Sequence, residues 1–283
     1  MGYYYVLSML LCTMAVGLNT RLTISVVAIF LVLLLAVVPL ARKHTRVIMS
    51  THVPRTKAVK CSNTYDAATF YEVSESLNKE ETFLHNQYFK GICGGTYVEL
   101  GGHDGIGQDN TLAFHKILEW HGVLIEASPD RFTRLQANRP HDTLVHAAVC
   151  NTPGYVHFID KEYVGGIYEL MNPEFIARWH PQLNVKDLPT VPCSTFASIA
   201  GEVYTFFDFL SLDVEGGEYQ ILQTMGDIEF GVILVESDGG NPRKDYAVRS
   251  FLEDKGYLFD GKHSNSQWFV NKKWHEIYRD VIY

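Results

Sequence analysis

Three acids stand where short apolar runs stop. In "TYVELGGHDGIGQDNT" Glu99 ends the run and is followed by Gly101, Gly102, His103, Asp104 and Gly105, with Asn110 a little further on. Glu126 ends "GVLIE" and leads into Ala127 and Ser128; Asp213 ends "FLSLD" and leads into Glu215, Gly216, Gly217 and Glu218. Carboxylates so placed can accept from ribose hydroxyls, hold a cationic group, or take a proton from an acceptor. The glycines permit torsions and close ligand approach that a Cβ forbids. Glycines after a strand are a weak signal alone; Glu126 at the end of the next strand, where a doubly wound fold presents a carboxylate to a ribose, sharpens it. Two ligands then compete, a dinucleotide such as NAD and S-adenosylmethionine, which has a ribose but no phosphate. An anionic Glu99 repels a pyrophosphate and suits a cationic amino-acid ligand, which favours the second. The blander reading is of ordinary strand-end acids and, for Glu218, an acid complementing a helix dipole.

These acids need strands to carry them. Runs at "TYVEL", "GVLIEA", "TLVHAAV", "YVHFI", "FDFLSLD" and "FGVILVE" read as strands, with helices between them at "TLAFHKILEW", "PDRFTRLQAN" and "GEYQILQTM". Such alternation predicts right-handed βαβ units and a largely parallel, doubly wound sheet covered on both faces. A last helix, "DYAVRSFLEDKG", precedes "YLFDG" and "QWFVNK", which read as a closing hairpin at a sheet edge. The stretch from Gly165 to Leu183 breaks the alternation and reads as a substrate-facing insertion or lid, or a plain loop.

The front of the chain differs in kind. "LTISVVAIFLVLLLAVVPL" carries no charge and is long enough to cross a bilayer as a helix. The expected organisation is an apolar lead-in at 1–21, one transmembrane helix at 22–41, a polar stem with one helix at 42–95, and the main domain at 96–283. Basic residues after the span, Arg42, Lys43, Arg46, Arg55, Lys57 and Lys60, against Arg21 before it, place the domain in the cytosol by the positive-inside rule. An endoplasmic reticulum or Golgi lumen stays open.

A length of 283 residues is enough for one sizeable α/β domain plus an extra segment, and the net charge of −8 argues against a nucleic-acid partner. The five cysteines form no CxxC or zinc spacing and read as buried apolar residues; in an oxidising lumen a Cys150–Cys193 bridge is an option. The histidines show no metal spacing, so no metal ligand is assigned. Glu236 and Asp238 end another strand and can border an acceptor pocket.

Five ordered motifs, "YVELGGHDGIGQDNT", "GVLIEASPDRFTRLQANRP", "HAAVC", "LSLDVEGGEYQIL" and "VILVESDG", resemble the FkbM-type methyltransferases, S-adenosylmethionine-dependent enzymes with a seven-stranded Rossmann-like sheet. The similarity spans about Tyr97 to Val270. It implies that Glu99, Gly101, Gly102, His103, Asp104 and Gly105 form the cofactor loop, with Asn110 near it. Glu126 would meet the adenosine ribose, Ala127 and Ser128 would lie on the adenine side, and Asp213 and Glu215 would face the transferred methyl. His103 stands where many methyltransferases have a glycine, and Ser128 replaces a common asparagine-like residue.

The implied activity is O-methylation of a small-molecule, glycan or lipid hydroxyl by a membrane-anchored enzyme. The rival is an inactive, membrane-tethered binding or trafficking protein on the same fold, similar in plan to the insect Star protein. Retention of Glu99, the glycines, Glu126 and Asp213 favours the enzyme. The sequence leaves oligomeric state open.

Overall fold

The structure, a computed structural model, describes residues 58–62, 65–237 and 239–282. The expected lead-in, the span at 22–41, the stem up to residue 57 and Asp238 lie outside the described residues. Among the described residues no helix is long and apolar enough to cross a membrane.

A short antiparallel pair, β1 (Val59–Lys60) with β2 (Ile92–Cys93), flanks the stem helices α1 (Ala67–Val73) and α2 (Glu80–Leu84), the latter running into a π-helical turn at His85–Phe89. The single stem helix expected from the sequence is therefore broken. Lys79 adopts a left-handed φ of 65°, and the Glu80 carboxylate takes the Asn78 N–H at 2.8 Å, which starts a new helix instead of extending the first.

The main domain follows with β3 (Thr96–Leu100), α3 (Leu112–Leu118), β4 (His121–Glu126), α4 (Pro129–Asn138) and β5 (Thr143–His146). Next come β6 (Ala148–Val149), β7 (Gly154–Ile159), β8 (Gly166–Ile167), α5 (Pro173–Trp179), β9 (Thr190–Ser194) and α6 (Phe196–Ala200). The chain closes through β10 (Phe206–Leu212), α7 (Glu218–Leu222), β11 (Glu229–Glu236), α8 (Pro242–Asp254), β12 (Tyr257–His263), β13 (Ser266–Asn271), α9 (Trp274–Ile277) and α10 (Arg279–Ile282).

Seven strands form the main sheet in the order β12-β13-β11-β10-β3-β4-β5. The pairs β3–β4, β4–β5, β3–β10 and β10–β11 are parallel, and β13 runs antiparallel between β11 and β12. The chain starts at β3, builds outward to β5, then returns to build the other way from β10. That reversal leaves a crevice beyond the carboxyl ends of β3 and β10, the ordinary ligand position in a doubly wound sheet.

Alternate residues feed opposite faces, as a strand requires. Val98 and Leu100 join Leu210, Leu212 and Ile233 against Ile221 and Leu252, while Tyr97 joins Phe209, Val232 and Trp268 against Phe114 and Trp120. The stem belongs to the second cluster through Phe70, Leu84 and Phe89.

Two strand expectations change. "YVHFI" is not in the main sheet: β7 belongs to a separate four-stranded sheet, β6-β9-β7-β8, and pairs antiparallel with β8 and β9. "TLVHAAV" is not one strand either, because β5 ends at His146 in the main sheet and β6 begins at Ala148 in the small one. Apolar alternation reports that a segment is half-buried, not which sheet it joins.

Cysteine pairing goes beyond the expectation. The reading of the cysteines as buried apolar residues does not hold for these four: the Cys150–Cys193 disulfide, left as an option by the sequence, is present with Cα atoms 5.8 Å apart, and a second, Cys61–Cys93, ties β1 to β2 with Cα atoms 5.0 Å apart. Among the described residues, all four cysteines are thus bonded.

Candidate cofactor and acceptor site

The β3 carboxyl end and the loop after it are built around Glu99. This buried carboxyl accepts the Asn110 N–H at 2.9 Å through Oε1 and the Thr111 hydroxyl at 2.6 Å through Oε2. Burial first, and then the charge of Asp109, push its pKa well above the ordinary carboxyl range. Glu99 therefore anchors the start of α3 more than it displays a bare negative charge, so an anionic Glu99 is not what disfavours a pyrophosphate here.

Beneath the loop lies a knot that sequence reading missed. Arg139, wholly buried, donates to Asp109 Oδ2 and Asp142 Oδ2, both at 2.9 Å, to the Gly105 carbonyl at 3.3 Å and to the Tyr97 hydroxyl at 2.5 Å. Its position just after α4, in "NRP", carries no signal of burial. Gly105 has a φ of +75°, and a Cβ there would meet the Arg139 side chain at 2.5 Å.

The Glu126 carboxylate at the end of β4 reaches across to the loop, accepting the His103 N–H at 3.0 Å through Oε2 and the Ser128 N–H at 2.6 Å through Oε1. Burial raises its pKa, against the lowering effect of the Ser128 N–H and Arg131. Asp104 Oδ1 accepts from the Ile106 and Gly107 N–H groups at 3.0 and 2.9 Å, which folds the loop on itself. His103 adopts a φ of 46°; its ring stacks on Tyr163 at 5.0 Å and approaches Glu162 Oε2 at 3.2 Å. Glu162 and Tyr163 lie just upstream of the expected insertion, Gly165 to Leu183, which itself reaches the cavity through Gly165, Gly166 and Ile167.

At the end of β10 the turn after Asp213 is organised by Glu218. Its buried carboxylate takes the Val214 and Gly216 N–H groups at 3.3 and 3.0 Å through Oε1, and Lys244 Nζ at 2.8 Å through Oε2. Glu218 thus stands in the first turn of α7, as the helix-dipole reading has it, and also holds the preceding turn and its own cation.

Asp213, Glu215 and Glu236 bring carboxylate oxygens within 4.8 Å of one another. Asp213 opens onto the cavity. Its pKa is raised to about 6 by burial and by the Glu218 charge, opposed by a hydrogen bond from Glu236 and by Lys244. Glu236 is pushed well above the ordinary range by burial and by Asp213, Glu218 and Glu215. The pair therefore favours one shared proton, with Glu236 as the donor.

One cavity of about 290 Å³ joins these strand ends. Of the residues predicted from sequence, Glu99, Gly101, Gly102, His103, Asn110 and Glu126 line it, together with Ala127, Asp213 and Glu215. Asp104, Gly105 and Ser128 stand behind it; the Ser128 hydroxyl caps α4 by accepting the Arg131 N–H at 3.3 Å. Glu236 lines the cavity as anticipated.

A second cluster, His115, His121 and Asp142, also comes together, although the sequence spacing gave no hint of it. Asp142 already accepts from Arg139, from the Tyr97 hydroxyl at 2.8 Å and from the Gly122 N–H at 2.9 Å, so its lone pairs serve the knot.

A family model of the Methyltransferase FkbM domain matches residues 99–259, more than half of the chain. The chain belongs to the FkbM methyltransferase family. Solved structures similar to this FkbM chain include an O-methyltransferase from Bacillus cereus in complex with SAH (12% identity, 75% of this chain and 84% of that one, TM-score 0.36). Others are a TehB-like SAM-dependent methyltransferase from Corynebacterium glutamicum (10%, 72% and 94%, 0.38) and fibrillarin from Aeropyrum pernix with bound S-adenosyl-L-methionine (10%, 63% and 67%, 0.36). A comparison with curated proteins found no match.

The cofactor of this FkbM domain is S-adenosylmethionine, and the cavity fits it. Gly101 and Gly102 present bare backbone; Asn110 Oδ1 is buried without a partner; and the wall is acidic, its one arginine, Arg131, lying 3.3 Å from Asp160. Such a lining suits a sulfonium-bearing amino acid and disfavours a pyrophosphate.

Proposed function

We propose that the chain is a membrane-anchored O-methyltransferase acting on a hydroxyl of a small-molecule, glycan or lipid acceptor, with residues 22–41 as the anchor. The observation that carries this reading is the Asp213–Glu236 pair, a base with a raised pKa beside the cofactor loop at the sheet's switch point. In this reading Gly101, Gly102, His103 and Asn110 receive the amino-acid end of the cofactor. Asp104 and Gly105 hold that loop in shape, with Glu99 pinning it to the strand. Glu126 faces the ribose, and Ala127 and Ser128 the adenine side. When bound, the cofactor supplies an electrophilic methyl, so that the acceptor oxygen forms a new C–O bond as the S–C bond breaks and its electron pair passes to sulfur. Asp213 accepts the hydroxyl proton, Glu236 keeps Asp213 ionised and oriented, and Glu215 orders the acceptor.

Calorimetry of the full chain with S-adenosylmethionine tests the cofactor half of the reading, and incorporation of labelled methyl into a lipid and glycan extract tests the chemistry. Binding should fall at least tenfold in Glu126→Ala; Asp213→Ala should bind and fail to transfer. No heat and no thermal shift with the wild-type chain would favour the binding-protein rival.

We also propose that the domain faces an oxidising lumen. Two disulfides support this side, because such bonds do not persist in a reducing cytosol. The basic flank after residues 22–41 argues the other way, but loop charge biases topology without requiring it. In sealed microsomes a lumenal domain resists protease until detergent is added; digestion without detergent would refute it.

A further inference from the structure

Beyond the cofactor cavity lies a second one of about 210 Å³, between α5, the Gly216 turn and the start of α8. The two cavities share two residues, Glu215 and Glu236, so the carboxylates form the partition between them. Whatever occupies the second cavity meets the same acids that serve the transfer.

The outer wall is aromatic. Asn172 caps α5 by accepting the Glu174 N–H at 2.9 Å, and Pro173 opens the helix, which sets Phe175 and Trp179 one turn apart on one face. Their rings lie 6.3 Å apart. Trp120, Trp268 and Trp274 are buried, whereas Trp179 is 42% exposed even with the Arg178 guanidinium 5.0 Å over its ring. An indole held open to water beside a cavity is a contact surface awaiting a partner.

The charges narrow what that partner is. At the inner end Lys244 is committed to Glu218 at 2.8 Å, and Arg178 is exposed at the outer end with its guanidinium over the indole, so among the described residues no unpaired cation stands beside Glu215 and Glu236. Carboxylates at the inner end and aromatic rings at the outer end complement a molecule with hydroxyls on one edge and C–H groups on a face.

We propose that this cavity is the acceptor subsite and that it takes a neutral sugar unit, its ring face against Trp179 and Phe175 and one hydroxyl directed between Glu215 and Glu236 toward Asp213, which lines the cofactor cavity on their other side. The assignment deepens the methyltransferase reading and rests on it for the fate of that hydroxyl, but the binding itself does not depend on transfer.

The test uses the full chain in detergent, saturation-transfer NMR with methyl β-D-galactopyranoside, methyl β-D-glucopyranoside and methyl α-D-mannopyranoside, and catechol and glycerol as comparison probes. S-adenosylhomocysteine binding is measured by calorimetry on the same samples. At least one glycoside should bind in preference to catechol and glycerol. Trp179→Ala should weaken it at least tenfold and Phe175→Ala measurably, with S-adenosylhomocysteine affinity unchanged within twofold, which also reports that the variants are folded. Cofactor-product binding without glycoside binding, stronger binding of catechol, or a glycoside held equally by Trp179→Ala would overturn the subsite. Glycoside binding that depends on Trp179 in a chain that ignores S-adenosylhomocysteine would keep the subsite and overturn the methyltransferase reading; binding of neither would overturn both.

Discussion

Gly101 packs against the carbonyl oxygen of Asp213, so closely that a Cβ on Gly101 would overlap it. The two strand ends that define the crevice thus touch through backbone alone, and Gly101 has a φ of +80° as well. Gly101→Ala should lower stability by about 2 kcal/mol or more, from the left-handed torsion and the clash together, and should abolish detectable cofactor binding. Gly102→Ala is the internal comparison: its Cβ would meet side chains and no backbone, Leu124 at 3.2 Å and Leu135 at 3.7 Å, so the loss should be smaller. Thermal melts and calorimetry on both variants check the ranking; equal losses would refute it.

Asp213 must be ionised to accept a proton, and its pKa is raised to about 6. Transfer should therefore rise with pH through about 6 and level off above it. The hydrogen bond from Glu236 opposes that rise, so Glu236→Ala should move the acidic limb to higher pH, while Glu236→Gln, which keeps a donor, should leave it near the wild-type position. A pH–rate profile of the three chains is the measurement, and coincident limbs would remove Glu236 from the role.

Glu81 ties the stem to the domain. It is buried, accepts the Ala113 N–H of α3 at 2.7 Å, and its pKa is raised to about 8, first by burial and then by the Asp109 charge. A carboxyl with a raised folded-state pKa stabilises most below its unfolded value near 4.5, and that contribution is lost as pH rises toward about 8. Stability should fall across this window with a slope of at most about 1.4 kcal/mol per pH unit for one proton. Glu81→Gln keeps the acceptor and removes the charge, so its denaturation midpoint should be flatter with pH and higher than wild type at pH 8. A parallel pH dependence in the two chains would rule Glu81 out as the source.

Each disulfide closes a loop of moderate length, with sequence separations of 32 and 43. On the chain-entropy estimate, removing either costs about 4 kcal/mol. Cys61→Ser/Cys93→Ser and Cys150→Ser/Cys193→Ser should each lower the melting temperature, and reducing agent should lower that of the wild type but not that of the chain lacking both bonds. A wild-type melt indifferent to reductant would show that neither bond contributes.

The sheet was legible because strand-end acids coincide with turns: Glu99, Glu126 and Asp213 all stop at the carboxyl ends of β3, β4 and β10, where the topology assembles them in one crevice. What the sequence concealed depends on partners far away in the chain. Arg139 looks like a surface residue until Asp109, Asp142 and Tyr97 surround it, and Lys244 is one basic residue of "PRKD" until it meets Glu218. Glu99 was found for an incomplete reason, since its oxygens face the loop that it fastens. The small sheet escaped notice because β7 and β9 have the composition of any half-buried strand, and pairing is decided by tertiary contact.

The stem does more than connect. The Glu81 carboxylate of α2 accepts an N–H in the first turn of α3, and Phe70, Leu84 and Phe89 fill space against Phe114 and Trp120, so the family match at 99–259 is shorter than the unit that folds around it. A chain cut to begin at Thr96 would leave Trp120 uncovered and the Ala113 N–H unmet, beside the loop meant to receive the cofactor. The smallest piece worth expressing therefore begins ahead of Cys61, and the polar stem supplies Leu77, Asn78 and Glu80 to the wall of the cofactor cavity itself.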